Sequence, residues 1–568
     1  MISYNVRETQ ILNGLWDFKF NEGFELKKFS PAVISFDERI PVPSAFDAWP
    51  TYQGKRGLGI YRKYISIGKG KRGRLHFQGV SMWSQVWING ACVAENRCGY
   101  APFWVNIDSG NECNEIIVIA DNRFDFNRVP MHEEYFDFYQ YGGIIREVIL
   151  HQLPDAKPCI HAIRVRHTDD YARGEVELEI ELDRPAATAI QARVQIDGVE
   201  ICELSIAAGD AGCDCVRLNT PNPRLWSPNT PELHSLKVEL IDPSNCVFDD
   251  TSVRYGLRRI ETTGDQILLN GEPIQLIGYN RHEWHPNYGP STPELQMSMD
   301  LCYLRDLGCN FIRGSHYHQS QRFLDLCDEM GFLVWEENLG WGQREKALTD
   351  ARFKEDHHLA LKSMVQTSFN HPCVIIWGFL NEAKSNEDYA RPIFEETVRT
   401  LRELDDSRLI SFASMFAEDD LMFDLVDLIS LNLYPGWYDA EGVDDPLELI
   451  GPRFDRVLDS LEQRGFKNKP VMISEIGVEG LYGWHDPHND FFTEQFQADY
   501  LEKAINETLS RRFCGIALWH FSDARTYSGG WSIKRPRTHN NKGTMDEYRR
   551  PKLAYKAVKQ AFHVLQEK

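Results

Sequence analysis

The stretch from Val374 to Glu382, VIIWGFLNE, decides the fold. Its apolar front half has no wet face, as in a strand buried on both sides, and it ends on two polar residues, Asn381 and Glu382. Seven other runs share this texture: IQLIGYN, NFIRGSHY, FLVWEEN, LISFAS, LISLNLY, VMISEIG and GIALWHFSD. Amphipathic stretches such as SQRFLDLCDEMG and YARPIFEETVRTLRELD lie between most of them. Eight strand–helix units in about 300 residues predict a (β/α)8 TIM barrel over residues 260–568. A doubly wound sheet would carry a glycine-rich phosphate turn after its first strand, and LIGYNRHEWHP has none.

Upstream of the barrel the chain reads as all β. GRLHFQGVSMWSQVWINGACVAENRCGYAPFWVNI divides into short alternating strands, with a hairpin signal at Asn89-Gly90. The Pro-containing stretch LPDAKP (153–158) marks a linker, so a first β domain spans 1–156. Within 157–259, GEVELEIELD and ATAIQARVQIDG alternate strictly between wet and buried positions. About 100 residues of that texture fit an immunoglobulin-like β-sandwich.

Composition narrows the function. The chain has 568 residues, too many for one core and consistent with three domains. A net charge of −22 excludes a general nucleic-acid surface. No apolar run approaches 18 residues, so no membrane helix is expected. The opening MISYNVRETQILNGLWDFKF lacks a basic region followed by an apolar one, so no signal peptide is expected. Thirteen cysteines without a CxxC pair read as reduced thiols of a cytoplasmic protein.

In such barrels chemistry sits where the strands end. VIIWGFLNE ends at Glu382 and VMISE at Glu475, 475 − 382 = 93 residues later, which places them on strands four and seven, across the barrel mouth. Either glutamate alone reads equally well as a buried ion-pair partner. A facing pair suits glycoside hydrolysis, where one carboxyl protonates the leaving oxygen and the other attacks the anomeric carbon or activates water. The two need different proton affinities, which one carboxylate can impose on the other. Further strand ends supply Arg313 and His316, then Glu336, Glu337 and Asn338, then Asn432 and Tyr434, and finally Trp519 and His520. His282, Glu283 and His285 in RHEWHP lack the helical i, i+4 spacing of a zinc site, so no metal is expected. No phosphate loop or GxSxG elbow appears, so no cofactor and no serine nucleophile are expected.

Together these motifs resemble glycoside hydrolase family 2, the group of β-galactosidases, β-mannosidases and β-glucuronidases. WSQVWINGACVAENRCGYAPFWVNI is similar to the family's N-terminal jelly-roll, PRLWSPNTPELHSLKVEL to the end of its sandwich, and LNGEPIQLIGYNRHEWHP to the approach to its barrel. NFIRGSHY, WGFLNE and ISEIG are similar to its barrel signatures, with one departure, His318 where the family usually has proline. The resemblance implies an N-terminal β jelly-roll, an immunoglobulin-like β-sandwich and a C-terminal (β/α)8 TIM barrel. It also implies a retaining, cofactor-free mechanism with Glu382 as acid/base, Glu475 as nucleophile and Asn381 on the sugar 2-hydroxyl. A homo-oligomer is the family habit.

The substrate is read from the basic stretch SIKRPRTHNNKG, residues 532–543. Asn540 and Lys542 resemble the Asn-x-Lys pair by which β-glucuronidases hold the substrate carboxylate, and a carboxylate wants such charge-assisted donors. Asn and Gly also form plain turns, which is the simpler alternative for NNKG. Asp137, His316, Tyr434 and Trp519 match further pocket positions of that group. Arg535 or Arg537 is expected to reach the C4 to C6 side of the sugar. The expectation is an exo-glycosidase acting on a small-molecule or oligosaccharide β-uronide, glucuronide or galacturonide. The alternatives are a neutral β-galactoside with the same machinery, or a carbohydrate-binding protein without turnover.

Overall fold

The computed structural model describes residues 2–23, 34–107, 111–133, 136–527 and 534–566. Part of the stretch ahead of the Asn-x-Lys pair, residues 528–533, and Tyr135 of YFDFYQYGG lie outside the described residues.

The N-terminal domain is a jelly-roll of two antiparallel sheets. One holds four strands, Glu8–Ile11, Val148–Pro154, Lys71–Phe77 and Phe103–Ile107 in spatial order. The other holds six, with Leu58–Ser66, Cys113–Asp121 and Trp83–Ile88 at its centre. Trp16, Phe18, Tyr61, Phe77, Val118 and Leu150 fill the space between them. The Asn-Gly signal is a two-residue hairpin: Ile88 pairs with Ala91, and Asn89 and Gly90 take φ of 49° and 83°. Positive φ at both central residues is the twist-matched turn geometry that Asn-Gly favours.

The second domain is a seven-stranded immunoglobulin-like sandwich, a three-stranded sheet against a four-stranded one. Glu175–Leu182 alternates half-buried and buried residues along its whole length, as its sequence requires. Trp226 leaves this domain's own core, lies fully buried in the barrel's core cluster, and donates its Nε1–H to the carbonyl of Asp328 at 3.0 Å.

The barrel strands are β1 (Leu276–Asn280), β2 (Phe311–Gly314), β3 (Leu333–Glu337), β4 (Val374–Gly378), β5, β6 (Ile429–Asn432), β7 (Val471–Ile476) and β8 (Gly515–Leu518). β5 comes in two pieces, Leu409–Ser411 paired with β4 and Ala413–Ser414 paired with β6, all parallel. β1 pairs in parallel with β2 and β8, which closes the ring. Gly378 is forced by packing, because a Cβ there would lie 1.7 Å from the Trp335 indole nitrogen. Between β5 and β6 the chain runs in turns, and the expected alternation of strand and helix skips that unit. No helix among the described residues is long and apolar enough to cross a membrane.

The jelly-roll is seated on the barrel mouth. Arg146 donates to Glu283 Oε2 at 2.6 Å and to the His318 carbonyl at 2.5 Å, and Tyr100 stacks on Tyr317 at 4.0 Å. His318 is itself buried and bonds Asn338 Oδ1 through Nε2 at 2.9 Å. The histidine thus makes a polar tie between the ends of β2 and β3 that a proline could not make.

Candidate active site

Each barrel strand is buried along its length and turns polar where it ends. Arg313, in β2, is fully buried and organises the centre. Its Nη1 donates to Glu475 Oε1 at 2.7 Å and to Asn280 Oδ1 at 2.9 Å. Its Nη2 donates to Glu337 Oε2 at 2.8 Å and to Asn381 Oδ1 at 2.9 Å. One guanidinium therefore binds two carboxylates and the amide beside a third. Burial of so many charges is tolerated because every one is paired.

Glu382 follows Asn381 in the loop after β4. Leu380 and Glu382 have positive φ of 48° and 50°, a costly backbone for residues other than glycine. The turn is pinned by Asn381 N–H to the Gly340 carbonyl at 2.8 Å and Glu382 N–H to the Ala413 carbonyl at 2.9 Å. Asn432, at the end of β6, donates to Glu382 Oε1 at 2.9 Å and to Asn381 Oδ1 at 3.1 Å, and accepts from Ser474 Oγ at 2.8 Å. With Asn381 Oδ1 doubly engaged, its buried Nδ2 has no partner among the described residues and is left to donate.

The two strand-end carboxyls differ in environment. Burial, followed by the charge of Glu475, pushes the Glu382 carboxyl up to about 8. Burial also raises Glu475, but Arg313 and the Tyr434 hydroxyl, 2.7 Å from Oε2, oppose it. Glu475 thus has two donors favouring its ionised form where Glu382 has a neighbouring anion. The arrangement sets a carboxyl pushed toward its protonated form beside one whose donors oppose that push.

Around this pair sit the other residues singled out from the sequence. His316 bonds Glu337 Oε1 through Nδ1 at 2.9 Å and stacks on Trp519 at 5.1 Å. Burial and then Arg313 hold its imidazole well below the usual range, so it is neutral. Asn540 Nδ2 donates to Asp137 Oδ2 at 2.9 Å, joining the barrel's last loop to the jelly-roll. Lys542, 1% exposed, places Nζ 3.1 Å from the Tyr438 hydroxyl and 5.4 Å from the centre of the Tyr434 ring. Burial and then Arg535 bring the Lys542 ammonium down to about 7, against the pull of Glu479, Asp137 and Glu475.

The two arginines of the basic stretch part company. Arg535 is buried and forked on Asp137, with Nε 2.8 Å from Oδ1 and Nη2 on Oδ2, and its Nη1 bonds Glu479. Arg537 points behind the loop to Glu547 Oε2 at 3.0 Å, Asn541 Oδ1 at 3.0 Å and Asp523 Oδ2 at 3.3 Å. The structure therefore gathers Asp137, Asn540, Lys542 and Arg535, and sets Arg537 one residue back from them. Glu479 and the central roles of Arg313 and Asn432 were not singled out from the sequence as site residues. The signal available was position: Arg313 and Asn432 lie on strands two and six, and Glu479 comes four residues after Glu475.

The RHEWHP side chains do not, among the described residues, bring three ligand-type atoms within 4.8 Å of one another, and Glu283 Oε2 accepts from Arg146. Among the described residues one trio, Asp328, His371 and Cys373, brings ligand-type atoms within 4.8 Å of one another. It lies at the start of β4, away from the strand ends, and Asp328 already accepts from His371 Nδ1 at 2.5 Å and from the Cys373 amide at 3.0 Å.

Three family models cover this chain: the sugar-binding domain of glycosyl hydrolases family 2 over residues 22–154, the family 2 domain over 160–258, and its TIM barrel domain over 260–567. The chain belongs to glycoside hydrolase family 2. It is a glycosidase by its domains. A crystal structure of a family 2 β-galacturonidase from Eisenbergiella tayi bound to galacturonate is similar at 31% identity and a TM-score of 0.89, over 99% of this chain and 98% of that one. A β-glucuronidase from Streptococcus agalactiae is 29% identical over 97% of this chain and 96% of its own. A β-D-glucuronidase structure from Dictyoglomus thermophilum is 25% identical, with a TM-score of 0.84, over 98% of this chain and 97% of that one.

Proposed function

We propose that the chain is a retaining exo-glycosidase that hydrolyses terminal β-D-uronides, glucuronides or galacturonides. Glu475 attacks the anomeric carbon while Glu382 protonates the leaving oxygen. Glu382 then deprotonates the water that releases the sugar from Glu475. Asn381 Nδ2, without a partner of its own, donates to the 2-hydroxyl, and Asp137 meets sugar hydroxyls from the jelly-roll side. His316, Tyr434 and Trp519 shape the pocket floor.

The observation that carries the reading is the dry cluster of Asn540, Lys542 and Arg535 near Glu475, in which Arg535 is already paired with Asp137 and Glu479 while Lys542 is held more loosely, 3.8 Å from Glu479. A neutral hexose offers nothing that such a cluster would be needed to neutralise, whereas a uronate offers one carboxylate. The family 2 relatives named for uronides support it. A cytoplasmic location belongs to the same proposal, supported by thirteen cysteines that are all free thiols, and a homo-oligomer is added to it from the family resemblance alone.

The test is a panel of aryl β-glucuronide, β-galacturonide and β-galactoside. Faster turnover of either uronide is expected, and the ratio of the two uronides gives the C4 preference. Faster turnover of the galactoside would end the uronide reading.

A further inference from the structure

We infer that Glu479 is a positioning residue for the anion clamp, setting the direction and the charge of the groups that meet the substrate's carboxylate. The inference rests on the uronide reading above. Glu479 lies in the loop after β7, four residues beyond Glu475, and is 3% exposed. It bonds neither Glu382 nor Glu475.

Both of its oxygens are committed as acceptors. Oε1 accepts from Arg535 Nη1, and Oε2 accepts from Asn541 Nδ2 at 3.1 Å. The Asn541 amide cannot turn over to relax that bond. Its Oδ1 accepts from Arg537 Nη2 at 3.0 Å, and its two Nδ2 protons are shared between the Glu479 carboxylate and the carbonyls of Pro536 at 3.0 Å and His539 at 2.7 Å. Two donor groups, the Arg535 guanidinium and the Asn541 amide nitrogen, thus face residue 479, where a carboxylate presents an acceptor to each and a carboxamide turns an N–H toward one of them. Arg537, Asn541, Glu479 and Arg535 form one chain of bonds from the rim to the clamp.

Glu479 also sets the charge. Arg535 is neutralised twice, by Asp137 and by Glu479. Lys542 has a looser tie: its ion pair with Glu479 Oε1 spans 3.8 Å. Lys542, bonded to the neutral Tyr438 hydroxyl at 3.1 Å, is thus the less tightly ion-paired of the two cations and the one placed to meet an incoming anion while Glu479 steadies its charge. It faces Glu475 and Glu479 from β7 and its loop, and Tyr434 and Tyr438 from the loop after β6. His520 faces it from the end of β8, Arg535 from its own loop, and Asp137 from the jelly-roll. Of the three carboxylates, Glu479 supports the ammonium most strongly.

The test compares full-length wild type with Glu479→Gln, Glu479→Asp and Arg537→Ala on the better aryl uronide, measuring kcat, KM and Tm from pH 5.5 to 9. Glu479→Gln is expected to raise KM about ten-fold, equal to about 1.4 kcal/mol of binding, and to change kcat less than about three-fold. The basic limb of its kcat/KM profile is expected to move to lower pH, because Lys542 loses the carboxylate that supports its proton. Glu479→Asp returns the charge without the reach, so the limb moves back while KM recovers in part. Arg537→Ala, at a side chain 40% exposed, is expected to fold and to raise KM about two- to five-fold with the limb unmoved. If wild type hydrolyses uronides and Glu479→Gln keeps both its KM and its basic limb, the Glu479 inference is wrong and the uronide reading stands. If Glu479→Gln does not fold, an unchanged KM in Arg537→Ala is the overturning result. A wild type inactive on uronides overturns the uronide reading and this inference with it.

Discussion

The strand ends and the last loop solve the same problem, holding charge in a dry pocket, by opposite means. Glu475 lies within β7, held on both sides by parallel neighbours, and Glu382 lies in the short turn just past β4, pinned by backbone bonds to the Gly340 and Ala413 carbonyls. The clamp hangs from irregular chain and borrows its rigidity from elsewhere. Asp137 comes from the jelly-roll, Glu479 from the loop after β7, and Arg535, Asn540 and Lys542 from beyond β8. Groups proposed to react need the smallest positional error, and a strand and a pinned strand-end turn provide it. Recognition groups can be assembled across a domain boundary, where they also make substrate affinity depend on how the jelly-roll is seated.

That division predicts which substitutions are severe. Glu475→Ala should lower kcat/KM at least about 10³-fold on every substrate and at every pH, since no other carboxylate is bonded to Arg313 and Tyr434 together. Glu382→Ala should cost about 10² to 10⁴-fold, with the smaller loss on aryl groups that leave without a proton and the larger on alkyl groups that need one. Retention of more than a tenth of wild-type activity by Glu475→Ala would break the comparison, because the chemistry would then lie elsewhere than the strand ends.

The clamp should matter less and more selectively. Lys542→Ala removes one charge-assisted contact, worth about 1.5–3 kcal/mol. That corresponds to about a 10- to 150-fold loss in kcat/KM on uronides. Any residual rate on an aryl β-galactoside should not fall in parallel. Equal losses on charged and neutral sugars would show that Lys542 supports the pocket's shape and not the carboxylate.

The same contrast governs what could be read from the sequence. The barrel, the two glutamates and their spacing were legible because they obey local rules: an apolar run buried on both faces, then a polar terminus. His316 and Trp519 each follow a strand end, β2 and β8, which flank β1, and only the closed ring brings them to stack on one another. The partners of the basic stretch were not legible, since Arg535 and Asp137 are 398 positions apart and only tertiary folding joins them. Composition offered two equivalent arginines, Arg535 and Arg537. Their separation follows from which acidic residues await them, Asp137 and Glu479 on one side, Asp523 and Glu547 on the other. The missing helix between β5 and β6 was also hidden, because turn-rich chain and a short helix have similar polarity there.

Tyr434 stands where the two regions touch, and it gives the finest test of their division. Its hydroxyl donates to Glu475 Oε2, while its ring faces Lys542. Tyr434→Phe keeps the ring and removes the donor. The bond favours ionised Glu475, so its loss should raise the proton affinity of that carboxyl further. In the proposed mechanism Glu475 attacks as the ionised carboxylate, so the acidic limb of kcat/KM should move to higher pH, by about one unit for a bond worth about 1.4 kcal/mol. The basic limb depends on Glu382, pushed up to about 8, staying protonated and on Lys542, brought down to about 7, staying charged. Both requirements fail as pH rises, and neither loses a hydrogen bond in the variant. The expected profile is therefore narrowed from its acidic side alone, with a loss of about ten-fold on the wild-type acidic limb and little change on the basic limb. A uniform loss at all pH values would assign Tyr434 to packing beneath the clamp, and would move it from the catalytic region of this comparison to the recognition region.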